Sequence, residues 1–243
     1  LMCNLLKALP RDCKLILVGD KDQLPSVGAG NVLADILASG TIPYCMLTKI
    51  FRQGEKSLII TNAHLINDGK MPLIDNTSQD FFFESKGDPE SIKNTIVNLV
   101  TTRLPKFLKT DPREIQVLAP MKAGVCGIES LNKTLQEVIN PPSDTKPQVE
   151  VGQTIFRLGD KVMQITNNYD LEWKKHGKYA DETGQGVFNG DIGFITLIDP
   201  NSGEVNVEFE DGRNCLYTRP DLLDLSLSYA ITIHKSQGSE FDT

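Results

Sequence analysis

The segment Gly19–Pro25, G-D-K-D-Q-L-P, places the carboxylate of Asp20 and the amide of Gln23 directly after a short apolar run. In open α/β sheets, loops at the carboxyl ends of strands form nucleotide sites. An amide in such a loop can hydrogen-bond a terminal phosphate or a catalytic water. Asp20 and Gln23 are therefore candidate nucleotide-site residues. The alternative is a strand–turn–helix connection in which Asp20 caps the turn and Gln23 is solvated.

A second candidate is Arg52, which lies between the apolar pair Ile50-Phe51 and a polar turn. An arginine supplied by one domain can neutralise the charge that develops when a nucleotide held by another domain transfers a phosphoryl group. The alternative for a single arginine is a surface ion pair between two elements.

The C-terminal segment, residues 227–242, gathers hydroxyl, imidazole and ammonium groups on one helical turn. These groups belong to Thr232, His234, Lys235 and Ser236. The turn ends at Gly238, and Glu240 could accept a hydrogen bond from a ribose hydroxyl. Donors of this kind suit the phosphate oxygens of a nucleic-acid backbone. Alternatively, His234 is a capping or core histidine and Lys235 is a solvated lysine.

Strands and helices must position these residues. Short apolar runs predict strands at residues 14–18, 44–47, 81–84 and 115–119. Apolar residues at helical spacing predict helices at residues 31–39, 57–68, 89–108 and 128–139. Start and stop signals support the helices, since Asp88-Pro89 begins one and Gly40 and Gly69 follow two others. This alternation predicts an α/β fold.

From residue 148 to residue 219 the helical period gives way to short β-rich segments. Turn signals such as Asn189-Gly190-Asp191 and Asp211-Gly212 separate them. The predicted strands are residues 154–157, 161–166, 192–198, 204–210 and 214–218. Short strands in this number predict a small barrel or sandwich, with the polar segment 169–185 as a long loop. The α/β texture returns after Pro220, so the β-rich segment is predicted to be an insertion.

The composition excludes several classes of protein. The 243 residues are 40% hydrophobic and carry a net charge of −7, so any nucleic acid would be held in a local groove and not by the overall field. No apolar run approaches the ~18 residues of a membrane span, and residues 1–10 do not resemble a signal peptide. Five scattered cysteines and three separated histidines argue against a disulfide framework or a zinc site, and predict a reducing compartment.

Six ordered motifs resemble the RecD-like helicases of superfamily 1, over residues 14–242. They read G-D-x-D-Q-L-P-S-V-G, I-F-R-Q, V-L-A-P-M-K-A-G-x-x-G-x-x-x-L-N, G-D-K-V-M-Q-x-x-N-N-Y-D, F-N-G-D-I-G and Y-A-I-T-I-H-K-S-Q-G-S-E-F-D. The resemblance implies two RecA-like domains that close on ATP and move 5′ to 3′ along single-stranded DNA. It also implies that the β-rich insertion is a Src-homology-3-like barrel, in which Asn167, Asn168 and Asn189 belong to characteristic segments.

The resemblance implies a role for each candidate residue. Gln23 would contact the γ-phosphate and Arg52 would be the arginine finger, which makes these two the expected catalytic residues. Asp20, Gly238 and Glu240 would lie near the nucleotide. The expected DNA contacts are Pro120, Met121 and Lys122 after one strand, and Thr232, His234, Lys235 and Ser236 in the C-terminal turn. No metal ligand is expected in the chain.

The implied fold is an α/β, RecA-like P-loop NTPase helicase core with an inserted barrel. Residues 1–48 would be the C-terminal part of a first RecA-like domain. Residues 49–147 and 221–243 would be two segments of a second RecA-like domain, and residues 148–220 the small inserted Src-homology-3-like β-barrel.

The chain has no G-x-x-x-x-G-K-[ST] loop and no Asp-Glu pair of the kind that holds Mg²⁺ in the family. We therefore expect a C-terminal fragment of an ATP-dependent 5′–3′ DNA helicase, inactive alone. ATP and Mg²⁺ would serve the intact enzyme, and neither would be bound to the fragment.

The expected partners are single-stranded DNA, a duplex junction, and nuclease or helicase subunits of a recombination complex such as exodeoxyribonuclease V. No membrane partner is expected, and the expected location is the cytoplasm. Two alternatives stay open: a non-catalytic module that binds nucleic acid or protein, and the helicase part of a conjugative relaxase.

Overall fold

The computed structural model describes residues 2–25, 30–47, 57–177, 180–241 and 243. Its packing divides the chain into two units, Leu1–Ser85 and Lys86–Thr243. The domain bounds expected from the sequence stay a prediction.

The described part of the first unit contains three helices, α1 (Met2–Ala8), α2 (Val32–Ser39) and α3 (Leu58–Asn67). Gly40 ends α2 in the left-handed region at φ 61°, where a side chain would be strained. Ser57 caps α3, because its hydroxyl accepts a hydrogen bond from the Ile60 N–H at 3.4 Å. The helices predicted at 31–39 and 57–68 are confirmed.

The strands predicted at residues 14–18, 44–47 and 81–84 are wrong. These segments form no ladder, and Ile16 and Val18 are 75% and 94% exposed. A strand needs a neighbour to satisfy its backbone donors and acceptors, and the described residues of the first unit contain no strand. The apolar run has the composition of a buried strand without a sheet to bury it.

The second unit begins with a nearly continuous helical segment. It consists of α4 (Pro89–Asn98), a π-helical turn (Leu99–Arg103) and α5 (Leu104–Leu108), which together cover the helix predicted at 89–108. The carboxylate of Asp88 caps it by accepting from the Ser91 N–H at 2.9 Å. The predicted strand at 115–119 is present as β1 (Val117–Ala119), and α6 (Ile128–Ile139) is also as predicted.

A β-rich body, the barrel, follows and contains nine strands among its described residues. They are β2 (Gln148–Val151), β3 (Thr154–Arg157), β4 (Lys161–Gln164), β5 (Asn168–Lys175), β6 (Glu182–Val187), β7 (Ile192–Ile198), β8 (Val205–Phe209), β9 (Arg213–Tyr217) and β10 (Leu225–Leu227). An antiparallel seven-stranded sheet has the order β10-β4-β7-β8-β9-β5-β6, and β2 pairs with β3. Phe156 and Tyr217 are fully buried in its core. All five strands predicted in this region are confirmed.

The predicted loop at 169–185 is wrong, because this segment forms the antiparallel pair β5 and β6. Leu171 and Trp173 alternate with solvent-facing residues and pack against the barrel core. Trp173 lies across Gly184, where a Cβ would come within 2.5 Å of the indole ring. The outward-facing positions are polar, and this polarity obscured the strand pattern in the sequence.

After Pro220 the chain returns to the helical body through a 3₁₀ turn (Asp221–Asp224), β10, β11 (Ala230–Thr232) and the short helix α7 (Ile233–Ser236). β11 pairs in parallel with β1. A separate core lies beneath this pair and includes Val100, Leu131, Leu135 and Tyr229. The predicted return to the α/β body is confirmed.

Candidate functional site

The parallel pair of β1 and β11 brings two predicted DNA-binding segments to the same edge. Ala119 lies opposite Thr232 in the register. Pro120, Met121 and Lys122 continue directly from β1, while β11 leads directly into α7. Because the carboxyl ends of parallel neighbours point the same way, the two segments leave the sheet side by side.

Backbone hydrogen bonds fold the loop after β1 onto the start of α6. The Ile128 N–H donates to the Met121 carbonyl at 3.1 Å, and the Glu129 N–H donates to the Lys122 carbonyl at 3.2 Å. A Cβ at Gly127 would come within 2.4 Å of that Lys122 oxygen, so the loop requires glycine there. The side chains of Met121 and Lys122 remain exposed. The loop therefore has a fixed backbone and presents a cation to solvent.

The predicted residues of α7 differ in how accessible they are. The Thr232 hydroxyl caps the helix by accepting from the Lys235 N–H at 3.4 Å, and Thr232 is buried. The Ser236 hydroxyl donates to the Ile233 carbonyl at 2.8 Å. His234 is exposed. Thr232 thus positions the turn, while His234 and Lys235 are the better candidates for contact with a ligand.

Lys235 joins α7 to the barrel. Its Nζ donates to Asn189 Oδ1 and to the Ile165 carbonyl, the latter at 3.4 Å. Partial burial, and then the nearby charge of Lys122, lower the pKa of Lys235. The two ammonium groups therefore repel each other, and a phosphate between them would relieve that repulsion.

Sequence reasoning missed the polar residues of α6 that hold this edge in place. Asn132 closes the free side of β11, since its amide donates to the Ala230 carbonyl at 2.9 Å and accepts from the Ala230 N–H at 2.8 Å. Asn132, Gln136 and Asn140 recur every four residues beside the buried leucines of the helix. Polar side chains at helical spacing next to an apolar stripe were the signal in the sequence.

Gln136 and Asn140 bind Asp160, a fully buried carboxylate in the turn between β3 and β4. Oδ1 accepts from Asn140 at 2.6 Å and from the Tyr229 hydroxyl at 2.9 Å. Oδ2 accepts from Gln136 at 2.6 Å and from the Arg157 N–H at 2.7 Å. Burial raises the pKa of Asp160, and the four donors oppose that rise. The carboxylate thereby ties the barrel to α6 and to the residue before β11.

In the first unit, Asp20 and Gln23 are both exposed. Asp20 Oδ1 accepts from the Asp22 N–H at 2.9 Å, which is the turn-capping role of the alternative interpretation. Lys21 pairs with Asp22 at 2.6 Å. Arg52 lies outside the described residues. The nucleotide-site roles of Asp20, Gln23 and Arg52 therefore stay predictions.

Gly238 and Glu240 follow α7 in exposed positions, with Gly238 at φ 84°. Their predicted place near a nucleotide also stays a prediction. Within the part of the chain that the structure describes, no group of three or more His, Cys, Asp or Glu side chains could hold a metal ion. No helix among the same residues is long and apolar enough to cross a membrane.

Comparison with known proteins shows similarity to one group of helicases. Residues 131–209 match the family described as ATP-dependent RecD-like DNA helicase SH3 domain, and residues 1–84 match the AAA domain family. The whole chain is 31% identical to the ATP-dependent RecD2 DNA helicase of Deinococcus radiodurans, over 30% of that protein. Over its whole length the chain is similar to RecD-like helicases.

Other relatives of this RecD-like chain carry the name RecBCD enzyme subunit RecD. The protein from Buchnera aphidicola (subsp. Schizaphis graminum) is 25% identical over the whole chain and 46% of its own length. The protein from Mycolicibacterium smegmatis is 26% identical over the whole chain and 41% of its own length. The chain thus spans between 30% and 46% of these relatives.

Proposed function

We propose that this RecD-like chain belongs to an ATP-dependent DNA helicase that moves 5′ to 3′ on single-stranded DNA and unwinds duplex at a junction. The observation that carries the proposal is the shared edge of β1 and β11. The loop that carries Lys122 and the helix α7 that carries Lys235 both leave the sheet at this edge, and the charge of Lys122 contributes to the lowered pKa of Lys235. The helicase part of the proposal is supported by the similarity to proteins and a family model named as DNA helicases.

The proposed DNA contacts are ionic and directed at the backbone. Lys122 and Lys235 would each neutralise a phosphate, and the exposed His234 would donate to a neighbouring oxygen. Met121 and Pro120 would line the same loop. Because bound phosphates release counterions, the affinity should fall linearly with salt on a logarithmic scale. A local cationic edge of this kind would allow a chain with a net charge of −7 to bind DNA.

ATP and Mg²⁺ would serve the whole protein. The residues of this chain do not fit Mg²⁺–ATP by themselves, because the sequence holds no phosphate-binding loop and its adjacent Asp-Glu pair, Asp181-Glu182, lies in the β-rich insertion, where Asp181 pairs with Lys174. We propose that residues outside this sequence supply both groups, which the greater length of the relatives supports. Asp20, Gln23, Arg52, Gly238 and Glu240 are proposed to contribute to nucleotide binding, Gln23 and Arg52 with catalytic roles.

Further partners and the location follow from the same relatives. We propose that the protein works in the cytoplasm, where its exposed free cysteines, Cys3, Cys13 and Cys45, would stay reduced. Relatives named as RecBCD subunits favour a complex with nuclease and helicase subunits.

The test is the binding of fluorescent single-stranded DNA over a range of salt concentrations. Lys122→Ala and Lys235→Ala should weaken binding and each reduce the salt slope by about 0.7. Lys106→Ala, at an exposed lysine on α5, is the matched control and should leave the slope unchanged. A slope that neither Lys122→Ala nor Lys235→Ala changes would contradict the proposed interface. DNA binding without DNA-stimulated ATPase, in a protein that includes the phosphate-binding loop, would favour the non-catalytic module.

A further inference from the structure

An exposed aromatic pair lies on the barrel at the open end of the β5–β6 hairpin, where β5 begins and β6 ends. Tyr169 is 67% exposed and Phe188 is 43% exposed, although Phe156 and Tyr217 of the same body are fully buried. Their ring centroids are 5.7 Å apart and the planes are inclined by 74°. What distinguishes these rings from a single exposed ring such as Phe107 is that they contact each other and form an apolar patch, and such patches occur at ligand-binding sites.

The pair is held rigidly. The Phe188 ring packs over Gly186, where a Cβ would lie 3.0 Å from the ring, and the Phe188 N–H donates to Asp191 at 2.9 Å. Asp191 is also paired with Arg213 at 2.7 Å, so the carboxylate beside the rings is neutralised. The Asn167 amide donates to the Tyr169 hydroxyl at 3.3 Å. Little side-chain freedom would be lost when a flat ligand stacks here.

Hydrogen bonds connect this pair to the cationic edge. Asn167 Oδ1 accepts from the Asn189 N–H at 2.9 Å, and Asn189 Oδ1 accepts from Lys235 Nζ. This hydrogen-bond chain runs from Tyr169 through Asn167 and Asn189 to Lys235, and the charge of Lys122 acts on Lys235 in turn. A surface with aromatic rings beside fixed cations is complementary to a nucleic-acid single strand, whose unpaired bases stack while its phosphates pair.

We propose that Tyr169 and Phe188 form a base-stacking subsite for single-stranded DNA, next to the backbone contacts of Lys122 and Lys235. The subsite rests on the proposed DNA-binding function and adds to it a contact with the bases. Stacking does not distinguish the four bases, because each has a π-face. A helicase that must pass any sequence would need this kind of contact.

The experiment compares two fluorescent strands: oligothymidylate, and a strand of equal length whose central nucleotides are abasic. Stacking on one base contributes about 1–3 kcal/mol. Tyr169→Ala and Phe188→Ala should therefore weaken oligothymidylate binding by about 5-fold to 150-fold, and should leave binding of the abasic strand unchanged. Tyr169→Phe keeps the ring and should retain most of the affinity. Phe107→Ala, at an exposed ring on α5, is the matched control.

Three results would contradict the subsite. Variants that bind oligothymidylate like the unmodified protein would show that the rings do not contact bases. Equal losses on both strands would show that the rings only support the backbone contacts. If the unmodified protein shows no salt-dependent binding to either strand, the proposed DNA interface and the subsite are both contradicted. Trp173 fluorescence in urea checks that each variant remains folded.

Discussion

Replacing Asp160 by Asn is the sharpest test of how the barrel is attached. An Asn side chain offers one acceptor oxygen and an NH₂ group that only donates. Each carboxylate oxygen of Asp160 receives two donors, so the amide in either orientation turns its NH₂ group toward two of them. Two hydrogen bonds to a charged acceptor are lost, at about 1.5–3 kcal/mol each.

The gain from removing a buried charge offsets part of this loss, because burial raises the pKa of Asp160 and so disfavours its ionised form. The expected net decrease in the free energy of unfolding is about 2–4 kcal/mol. Tyr229→Phe removes only one of the four donors, and a smaller decrease of about 1–2 kcal/mol is expected.

The assay is urea unfolding followed by the fluorescence of Trp173, the single tryptophan of the chain, which packs against the barrel core. With a typical urea slope, the Asp160→Asn midpoint should fall by about 1–2 M. Asp181→Asn, at a carboxylate of the same barrel whose ion pairs with Lys174 and His176 are exposed to solvent, should shift the midpoint much less. If Asp160→Asn shifts it no more than Asp181→Asn does, Asp160 does not hold the barrel in place.

Four further predictions concern pH, the nucleotide site and ATPase activity. Burial raises the pKa of the Cys215 thiol from 9.0 to about 12, so the thiol of the unfolded chain loses its proton at a lower pH than that of the folded chain. Above pH 9 the free energy of unfolding of the unmodified protein should therefore fall by about 1.4 kcal/mol per pH unit relative to that of Cys215→Val. Urea titrations of both proteins measure this difference. A constant difference between the two proteins from pH 8 to 10 would contradict this. In a protein that includes the phosphate-binding loop, Arg52→Ala should lower kcat for ATP by about 10³ or more with DNA affinity retained, and near-normal turnover would contradict its catalytic role. In the same protein, Gln23→Ala should reduce unwinding more than ATPase activity. Equal losses of the two activities would contradict the proposed role of Gln23. The 243-residue chain alone should show no DNA-stimulated ATPase, because its sequence has no phosphate-binding loop. Phosphate release that increases when single-stranded DNA is added would contradict this prediction.

Local signals predicted much of the second unit. Turn residues such as Asp211-Gly212 mark the strands of the barrel correctly, because hairpin geometry depends on the few residues of the turn. The start of α4 is marked by Asp88-Pro89, and α6 is marked by its apolar stripe. Helix capping and helical periodicity are also set by residues close together in the sequence. The residues 14–18 show the limit of this reasoning. Their composition is that of a strand, but pairing depends on a neighbour that composition does not reveal.

The candidate site depended on long-range contacts. The parallel pairing of β1 with β11 joins segments more than a hundred residues apart, and no periodic pattern indicates it. The motif resemblance selected Lys122 and Lys235 individually, while only the structure shows that the charge of Lys122 acts on Lys235 and that Lys235 reaches the barrel through Asn189. The aromatic pair was missed because Tyr169 fell within a predicted loop.

Polar residues attach the barrel to the helical body at two points. Asp160 connects the turn after β3 to α6 and Tyr229, and Lys235 connects α7 to Asn189. Hydrogen bonds at these points are directional, whereas apolar contacts tolerate sliding, so the polar ties fix the orientation of the barrel relative to the β1–β11 edge. A base stacked on Tyr169 would therefore lie at a set distance from phosphates bound by Lys122 and Lys235, as a single strand of fixed covalent geometry requires.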